Sequence, residues 1–489
     1  MTSLPEAVYS AAQVRGIERC AIRENVAEAV LMQRAGAAAW AALRQRWPDA
    51  KRIVVCAGSG NNAGDGYVLA QCAREAGCEV TVQTVMAPPH APGAATEVRR
   101  AYLQHGGAEQ VFSGSLPTDA DVLVDALLGI GLNRALSGEL RAAVDAINRA
   151  QLPVLALDVP SGLHADTGAV LGVAVRADVT HTFIALKPGL LTGAGPVYCG
   201  EILFDELGVP AICFSSLPVA RRLGAGDAML PRRARDAHKG AFGHVLVVGG
   251  GHGMGGAVRL VAEAALRSGA GLVSVATRAQ HLPGLQAGLP EAMTYAVESV
   301  AELEPLLKRA SIIAIGPGLG QDDWARDLLA RVLGANLPLV LDADALNLLA
   351  HAPQQRSDWV LTPHPGEAAR LLGSDTTTVQ VDRFAAAAAI LARYGGSVVL
   401  KGAGSLVVTE GELPAVCDRG NPGMAAPGTG DALTGVIAAL MAQGLIAPAA
   451  ARAGVWLHAT AGDRAALRGE RGLIARDLIA ELRGLVNPA

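Results

Sequence analysis

The chain repeatedly places a short apolar run directly before a glycine-rich loop and a helical segment. One example is Arg52–Ala57, which is apolar after its first residue, as in strands buried on both faces of a parallel sheet. It leads into the glycine-rich residues 58–66, which precede a predicted helix at 67–76. A strand, a tight loop and a helix in this order build a parallel sheet covered by helices. The pattern therefore predicts an α/β protein.

This alternation occurs in two separate series. The predicted strands lie at 52–57, 79–85, 122–127 and 154–157 in the first series, and at 244–248, 272–276, 311–315, 339–341, 359–361 and 397–400 in the second. Predicted helices of the first series lie within 11–46 and near 95–105 and 139–149. Residues 217–240 cluster arginines and prolines without periodicity. We therefore expect a Rossmann-like three-layer α/β/α domain at 1–218, a connecting segment at 219–239 and a second α/β domain at 240–489.

Composition excludes several classes of protein. Hydrophobic residues make up 51% and charged residues 18% of the chain, which excludes disorder. A net charge of −4 with 3% aromatics argues against a nucleic-acid-binding surface, and no apolar run approaches the roughly 20 residues of a membrane helix. The seven scattered cysteines include no Cys-x-x-Cys pair. We expect a cytoplasmic protein with buried free thiols and no signal peptide.

Residues 420–435 combine glycines and prolines with the start of an apolar, helix-like run. A helix that begins after such a turn presents free N–H groups and a dipole that favour an anion. Asp431 lies beside this anion site. It could cap the helix, or it could take a proton from an attacking hydroxyl while the amides stabilise a transferring phosphoryl group. The glycine pattern alone leaves both interpretations open.

The first glycine loop also has two interpretations. Gly58, Gly60 and Ala63 fit the dinucleotide-binding fingerprint, but the second strand ends in Gln83-Thr84-Val85 without the acidic residue that a ribose requires. The loop instead holds Asn61, Asn62 and Asp65, whose oxygens suit a hard cation. Asp125 and Asp158 follow later strands of the same series, where either could cap a loop or join this site.

Five motifs of the second series form a specific set: 315–320, 341–347, 361–367, 399–404 and 428–431. In this order and spacing they resemble the ADP-dependent NAD(P)H-hydrate dehydratases, a ribokinase-like family, over residues 229–489. The resemblance implies that adenine nucleotide is bound by Lys401, Gly402, Ala403, Gly404, Ser405 and Gly430. It assigns the hydrated nicotinamide to Ala257, Gly318, His364 and Asp431, with Asp431 as the catalytic base.

Residues 58–66, 123–131 and 157–162 of the first series resemble the NAD(P)H-hydrate epimerase domain, over residues 10–215. The resemblance makes Asp158 catalytic and makes Asn62, Asp125 and Ser161 ligands of K⁺; Lys187 also fits the pattern. Its implied hydrate-binding set is Asn61, Asn62, Ala63, Gly64, Asp65, Gly129, Ile130, Gly131, Leu132, Asn133, Arg134, Ala135 and Asp158.

Together the two resemblances imply repair of hydrated NADH or NADPH, by interconversion of the R and S hydrates and dehydration of the S form. ADP is the implied co-substrate, giving AMP and phosphate, with Mg²⁺ on the phosphates and K⁺ in the first domain. We expect these small molecules and further copies of the same chain as partners, and no nucleic acid or membrane. The alternatives are an ATP-dependent kinase of a hydroxymethylpyrimidine or sugar, which leaves the first domain without a role, and a scaffold built on degenerate enzyme domains.

Overall fold

The computed structural model describes residues 4–86 and 93–487. The chain forms two compact units, Met1–Arg221 and Arg222–Ala489. Each contains a mainly or wholly parallel sheet with helices around it, which confirms the predicted α/β fold class. No helix among the described residues has the length and apolar character that crossing a membrane requires.

The first unit is built on one parallel sheet. The strands of this unit are β1 (Ala7–Val8), β2 (Arg52–Ala57), β3 (Glu79–Thr84), β4 (Glu109–Val111), β5 (Val122–Ala126), β6 (Val154–Leu157), β7 (Val179–Phe183), β8 (Glu201–Asp205) and, at the boundary, β9 (Ala220–Arg222). Strands β1 and β9 pair antiparallel with each other and lie outside the parallel sheet. Its helices are α1 (Ala11–Arg23), α2 (Glu28–Arg46), α3 (Asn61–Glu75), α4 (Ala94–Gln104), α5 (Gly138–Arg149), α6 (Pro188–Leu191) and α7 (Gly195–Tyr198). Seven strands pair in the order β4-β3-β2-β5-β6-β7-β8. The order changes direction between β2 and β5, where doubly wound sheets bind ligands.

This unit differs from the sequence-based expectation in several places: strands β4, β7 and β8 were not predicted, and two further differences concern α3 and the cysteines. Helix α3 begins at Asn61 rather than at Tyr67, because the glycines of its first turns allow close packing. A Cβ atom at Gly64 would lie only 2.4 Å from Met32 Sδ on α2. In addition, Cys20 and Cys213 form a disulfide across 193 residues of sequence, whereas both were expected to be free thiols.

Nine strands of the second unit pair in one sheet. These are β10 (His244–Val248), β11 (Leu272–Thr277), β12 (Met293–Ala296), β13 (Ile312–Ile315), β14 (Leu339–Leu341), β15 (Trp359–Leu361), β16 (Ser397–Leu400), β17 (Ser405–Thr409) and β18 (Ala415–Cys417). They pair in the order β18-β17-β16-β15-β14-β13-β10-β11-β12. Only β16-β17 and β17-β18 are antiparallel pairs, and the order changes direction between β10 and β13.

Helices cover this second sheet. They are α8 (Gly255–Arg267), α9 (Leu282–Gly288), α10 (Val300–Leu307), α11 (Asp323–Leu333), α12 (Ala343–His351), α13 (Pro365–Leu372), α14 (Thr376–Val381), α15 (Arg383–Tyr394), α16 (Thr429–Ala442), α17 (Ala447–Ala466) and α18 (Ala475–Leu485). The most apolar, α16, buries Ala432–Leu440 completely in the core of the unit. This fixes the first turn of α16, which holds Asp431, at the carboxyl edge of the sheet.

Candidate functional site

A cavity of about 540 Å³ lies at the point where the first sheet changes direction. It is lined by residues from α1 and α2 and from the loops that follow β2, β5 and β6. The predicted hydrate-binding residues that reach it are Asn61, Asn62, Asp65, Gly129, Ile130, Gly131 and Asp158. The carboxyl ends of these parallel strands meet at one sheet edge, so segments far apart in sequence form one cavity.

Asp158 is held at this cavity by a buried lysine. Lys187 is fully buried, and its ammonium group donates to Asp158 Oδ1, to Thr182 Oγ1 at 2.9 Å and to the Phe183 carbonyl at 2.8 Å. These contacts account for all three protons of the ammonium group. Asp158 has φ +65°, a left-handed conformation that non-glycine residues rarely adopt and that is common at functional sites. A Cβ atom at Gly129 would lie 3.0 Å from Asp158 Oδ2, so a glycine keeps this oxygen accessible.

Asp125 and Ser161, two predicted K⁺ ligands, are in direct contact. Ser161 Oγ lies 2.6 Å from Asp125 Oδ1, and the Ser161 amide donates to Asp125 Oδ2 at 2.8 Å. Burial raises the pKa of Asp125 to about 6, although these hydrogen bonds act in the opposite direction. Among the described residues, Asp125 has no cationic partner and both amide atoms of the buried Asn62 lack a hydrogen bond. The oxygens of Asp125, Ser161 and Asn62 are of the kind that can bind a monovalent cation.

Some of the predicted hydrate-binding residues do not line the cavity. Ala63 and Gly64 are buried in helix α3 and do not line the cavity. Ala63 has a helical backbone, so its methyl group introduces no strain. Leu132, Asn133, Arg134 and Ala135 continue the loop beyond the part that lines the cavity.

Helix α1 contributes two charged residues that the sequence analysis did not identify. The Arg15 guanidinium donates to the Ile130 carbonyl at 3.0 Å, which connects α1 to the loop after β5. Glu18, one turn further along α1, lines the cavity. Single charged residues on an amphipathic helix carry no local motif, so only the tertiary structure reveals them.

In the second unit, two glycine loops meet where the sheet changes direction. The Gly251 amide donates to the Gly318 carbonyl at 2.6 Å, joining the loops after β10 and β13. Gly318 has φ +58°, and a Cβ atom there would lie 3.2 Å from Ala257 Cβ. The structure thus brings together Ala257 and Gly318, two of the predicted hydrate-binding residues.

Lys401 is anchored by a buried aspartate that no predicted role included. Its ammonium group lies 2.6 Å from Asp342 Oδ1, and Thr434 Oγ1 donates to Asp342 Oδ2 at 2.8 Å. Burial opposes the charge of Lys401, but the carboxylates of Asp342 and Glu367 outweigh it and raise the pKa of Lys401. A Cβ atom at Gly430 would lie 3.2 Å from Lys401 Nζ, so two predicted nucleotide-binding residues are neighbours.

Asp431 lies in the first turn of α16, next to this ion pair. Its carboxylate has no hydrogen bond or ion pair within 4–86 and 93–487, so it is not a helix cap; the N-cap is Gly428, with φ +86°. Burial and the neighbouring Asp342 raise the pKa of Asp431 to about 7, and Lys401 acts in the opposite direction. The arrangement suits a general base because a pKa near neutrality allows proton uptake and release.

The turn before Asp431 is fixed from two sides. Thr429 Oγ1 donates to the Met424 and Ala426 carbonyls at 3.0 Å each. The buried His458 contacts the Thr429 carbonyl through Nε2 at 2.8 Å, so this nitrogen carries the proton and donates it. Polar contacts thus orient the helix N-terminus, whose first amides have no partner within the helix.

His364 and the loop after β16 complete this edge. His364 Nδ1 accepts from the Gly366 amide at 2.9 Å and caps α13. Burial and Lys401 lower the pKa of His364, which keeps the ring neutral. The almost fully buried Arg383, which the sequence analysis missed, donates to the Leu400 and Lys401 carbonyls at 3.1 Å each. These two hydrogen bonds fix the backbone at the start of residues 401–405.

Comparisons with known proteins agree with this geometry. A family model described as NAD(P)H-hydrate dehydratase matches residues 245–483. A second, described as YjeF-related protein N-terminus, matches residues 28–189. The matched segments fall within the second and first units, respectively.

Whole-chain relatives carry both segments. The bifunctional NAD(P)H-hydrate repair enzyme Nnr of Coxiella burnetii is 51% identical, covering 98% of this chain and 99% of that protein. The enzyme of the same name from Escherichia coli is 42% identical, covering 99% and 95%. A solved ribokinase-like superfamily protein from Enterococcus faecalis is similar to 55% of this chain, with 31% identity, a TM-score of 0.51 and 96% of its own chain covered.

Proposed function

The chain belongs to the bifunctional NAD(P)H-hydrate repair enzymes, and we propose from that premise which of its residues carry the two reactions. The first unit interconverts the R and S hydrates, and the second dehydrates the S hydrate. The assignment of dehydration to the second unit's site rests on Asp431. It is an unpaired, partly buried carboxylate beside free helix amides and a lysine that Asp342 holds in place.

In the second unit, Asp431 accepts the proton of the C6 hydroxyl as that oxygen attacks the β-phosphorus of ADP. The bond from this phosphorus to the bridging oxygen breaks, and AMP leaves. The ring nitrogen's lone pair then expels phosphate from C6, and loss of the C5 proton restores the dihydronicotinamide. Lys401 and the amides at the start of α16 stabilise the transferring charge, and residues 401–405 hold the adenine nucleotide.

Mg²⁺ would accompany the phosphates. No group of three His, Cys, Asp or Glu side chains in the described part of the chain could hold a metal ion. This agrees with the usual behaviour of Mg²⁺, which binds through one or two carboxylates, water and substrate phosphates. When bound, it would neutralise charge on the phosphates.

In the first unit, the cavity holds the hydrate between the loop after β5 and Asp158. K⁺ would be held by Asn62, Asp125 and Ser161, whose oxygens lack a cation within the described residues. Its charge would compensate the buried carboxylate and order the loop after β5. We also propose that the chain works in the cytoplasm and assembles with further copies of itself.

Replacing Asp125 tests the K⁺ assignment. Asp125→Ala should remove most R-to-S conversion, because the cation loses its one charged ligand, and should leave dehydration of the S hydrate intact. The measurement is the rate of each activity on separated hydrates across a K⁺ titration. Asp119→Ala, which removes a carboxylate that is 70% exposed and precedes β5 in the chain, is the control. Equal loss of both activities in a folded Asp125→Ala protein would contradict two separate sites.

The second unit should fold and bind ADP as a fragment of residues 222–489. The sequence suggests a start near Met229, but Leu223 and Ala228 lie in the core of this unit, 1% and 6% exposed. A fragment from Met229 should therefore be less stable by about 2 kcal/mol. ADP at a hundredfold excess over its Kd should stabilise the longer fragment by about 2.7 kcal/mol, measured as a melting shift. A folded 222–489 fragment without that shift would contradict the nucleotide assignment.

A further inference from the structure

Four carboxylates line the epimerase cavity. Glu18 reaches it from α1, Glu28 from α2, Asp65 from α3 and Asp158 from the loop after β6. Only Asp158 has a cationic partner at hydrogen-bond distance, since Lys187 donates to it. Within the described residues, Glu18 has neither a hydrogen bond nor an ion pair, although it is partly buried.

Inversion at C6 of the hydrate requires both a proton donor and a proton acceptor. The hydroxyl leaves as water only if it gains a proton, and the C6–O electron pair leaves with the oxygen. The ring nitrogen's lone pair then forms a double bond to C6. A water molecule adds to the other face of C6, returns the electron pair to nitrogen and loses a proton. Water is the only co-reactant, and the atoms balance.

The contacts of the two carboxylates suit them to different steps. Asp158 accepts a hydrogen bond from the Lys187 ammonium group at the cavity wall, and we assign it the role of proton acceptor. Glu18 faces the carboxylates of Asp158 and Glu28 and the cations of Lys187 and Arg15. Burial and Asp158 raise the pKa of Glu18, and Lys187 and Arg15 do not offset this. A carboxyl group in this setting keeps its proton to a higher pH than an exposed glutamate does, which favours a role as proton donor.

We propose that Glu18 is a further catalytic residue of the epimerisation, which protonates the departing C6 hydroxyl while Asp158 takes the proton from the incoming water. In the opposite direction the two groups exchange roles, and between turnovers they exchange protons with solvent. The inference rests on the proposed epimerase site. A parental protein that does not interconvert the hydrates would contradict the site itself, whereas the outcomes below concern Glu18.

The test compares Glu18→Gln in the full chain with the parental protein. Glutamine keeps the size of the side chain but carries no acidic proton, so kcat for R-to-S conversion should fall at least about a hundredfold. KM and ADP-dependent dehydration of the S hydrate should be unchanged. Parental kcat should fall as pH rises through the pKa of Glu18, and the variant should lack this dependence. Glu24→Gln, at the exposed end of α1, is the matched control.

Isotope labelling provides a readout that a structural role would not change. In H₂¹⁸O, each inversion by the parental protein should place a solvent oxygen on C6, and Glu18→Gln should lose labelling and inversion together. Inversion without labelling would overturn the C6–O step. A Glu18→Gln or Glu18→Ala protein that retains near-parental kcat would overturn the role of Glu18. The role of Glu18 would also be overturned if Asp65→Asn lost the pH dependence of kcat while Glu18→Gln kept it.

Discussion

Asp431→Asn is expected to lower ADP-dependent dehydration of the S hydrate at least about a hundredfold, within the usual range for loss of a general base. Asparagine keeps the size of the side chain and its hydrogen-bonding ability but cannot accept the proton. ADP should still bind, because Lys401 and residues 401–405 are unchanged, and epimerisation should continue. The measurement is the initial rate of NADH recovery from purified S hydrate, with the melting temperature as a check on folding.

The pH profile gives the same prediction a second form. Because burial and Asp342 raise the pKa of Asp431 to about 7, the base is largely protonated in mild acid. The dehydration rate of the parental protein should increase as pH rises through neutrality. The residual rate of Asp431→Asn should not show this increase. Asp323→Asn is the control, since Asp323 also lies in the first turn of a helix but is 95% exposed. Near-parental turnover by Asp431→Asn would assign the proton transfer to another group.

Asp342→Ala should destabilise the second unit by at most about 3–5 kcal/mol, because it removes the carboxylate 2.6 Å from the largely buried Lys401 ammonium group and leaves the more distant Glu367, at 3.8 Å. Burial would raise the pKa of Asp342, but Lys401 and Thr434 outweigh it and lower the pKa. The stabilisation is therefore complete at neutral pH and is lost as pH falls through the lowered pKa. The measurement is denaturant unfolding of the full chain at neutral pH, following the transition that ADP shifts.

A double substitution separates stability from function in this pair. Asp342→Leu with Lys401→Met replaces both charges by apolar side chains, so much of the lost stability should return. Nucleotide binding and dehydration should not return, because the lysine is absent. A double variant as unstable as Asp342→Ala would show that the instability does not arise from the loss of the Asp342 carboxylate beside Lys401.

Part of the fold and some of the site residues can be predicted from local patterns in the sequence. The strands at Arg52–Ala57, Val154–Leu157 and His244–Val248 match the prediction residue for residue, because a glycine or proline next to one end of each apolar run marks a strand boundary. The β17–β18 hairpin was missed, since its strands of five and three residues are too short to give a clear signal. Lys401 and Asp431 lie in glycine-rich motifs and could be singled out in advance.

The other site residues depend on tertiary structure. Asp342 stands in a motif that the sequence analysis quoted, but its contact with Lys401 spans 59 positions. Arg383 and Glu18 lie on ordinary amphipathic helices, where a charged residue is usually exposed to solvent. Pairing across such distances follows from how strands are ordered in the sheet, which local periodicity does not encode.

The disulfide between Cys20 and Cys213 closes a loop through most of the first unit, starting two residues beyond Glu18. Cross-linking a loop of this length removes conformational entropy from the unfolded chain worth up to about 5 kcal/mol. The second unit contains a single cysteine, Cys417, which is buried and free. Reductant would therefore weaken the unit that interconverts the hydrates and leave the other unaffected. In reducing surroundings, conversion of the R hydrate would then be lost before dehydration of the S hydrate. The R hydrate would accumulate first.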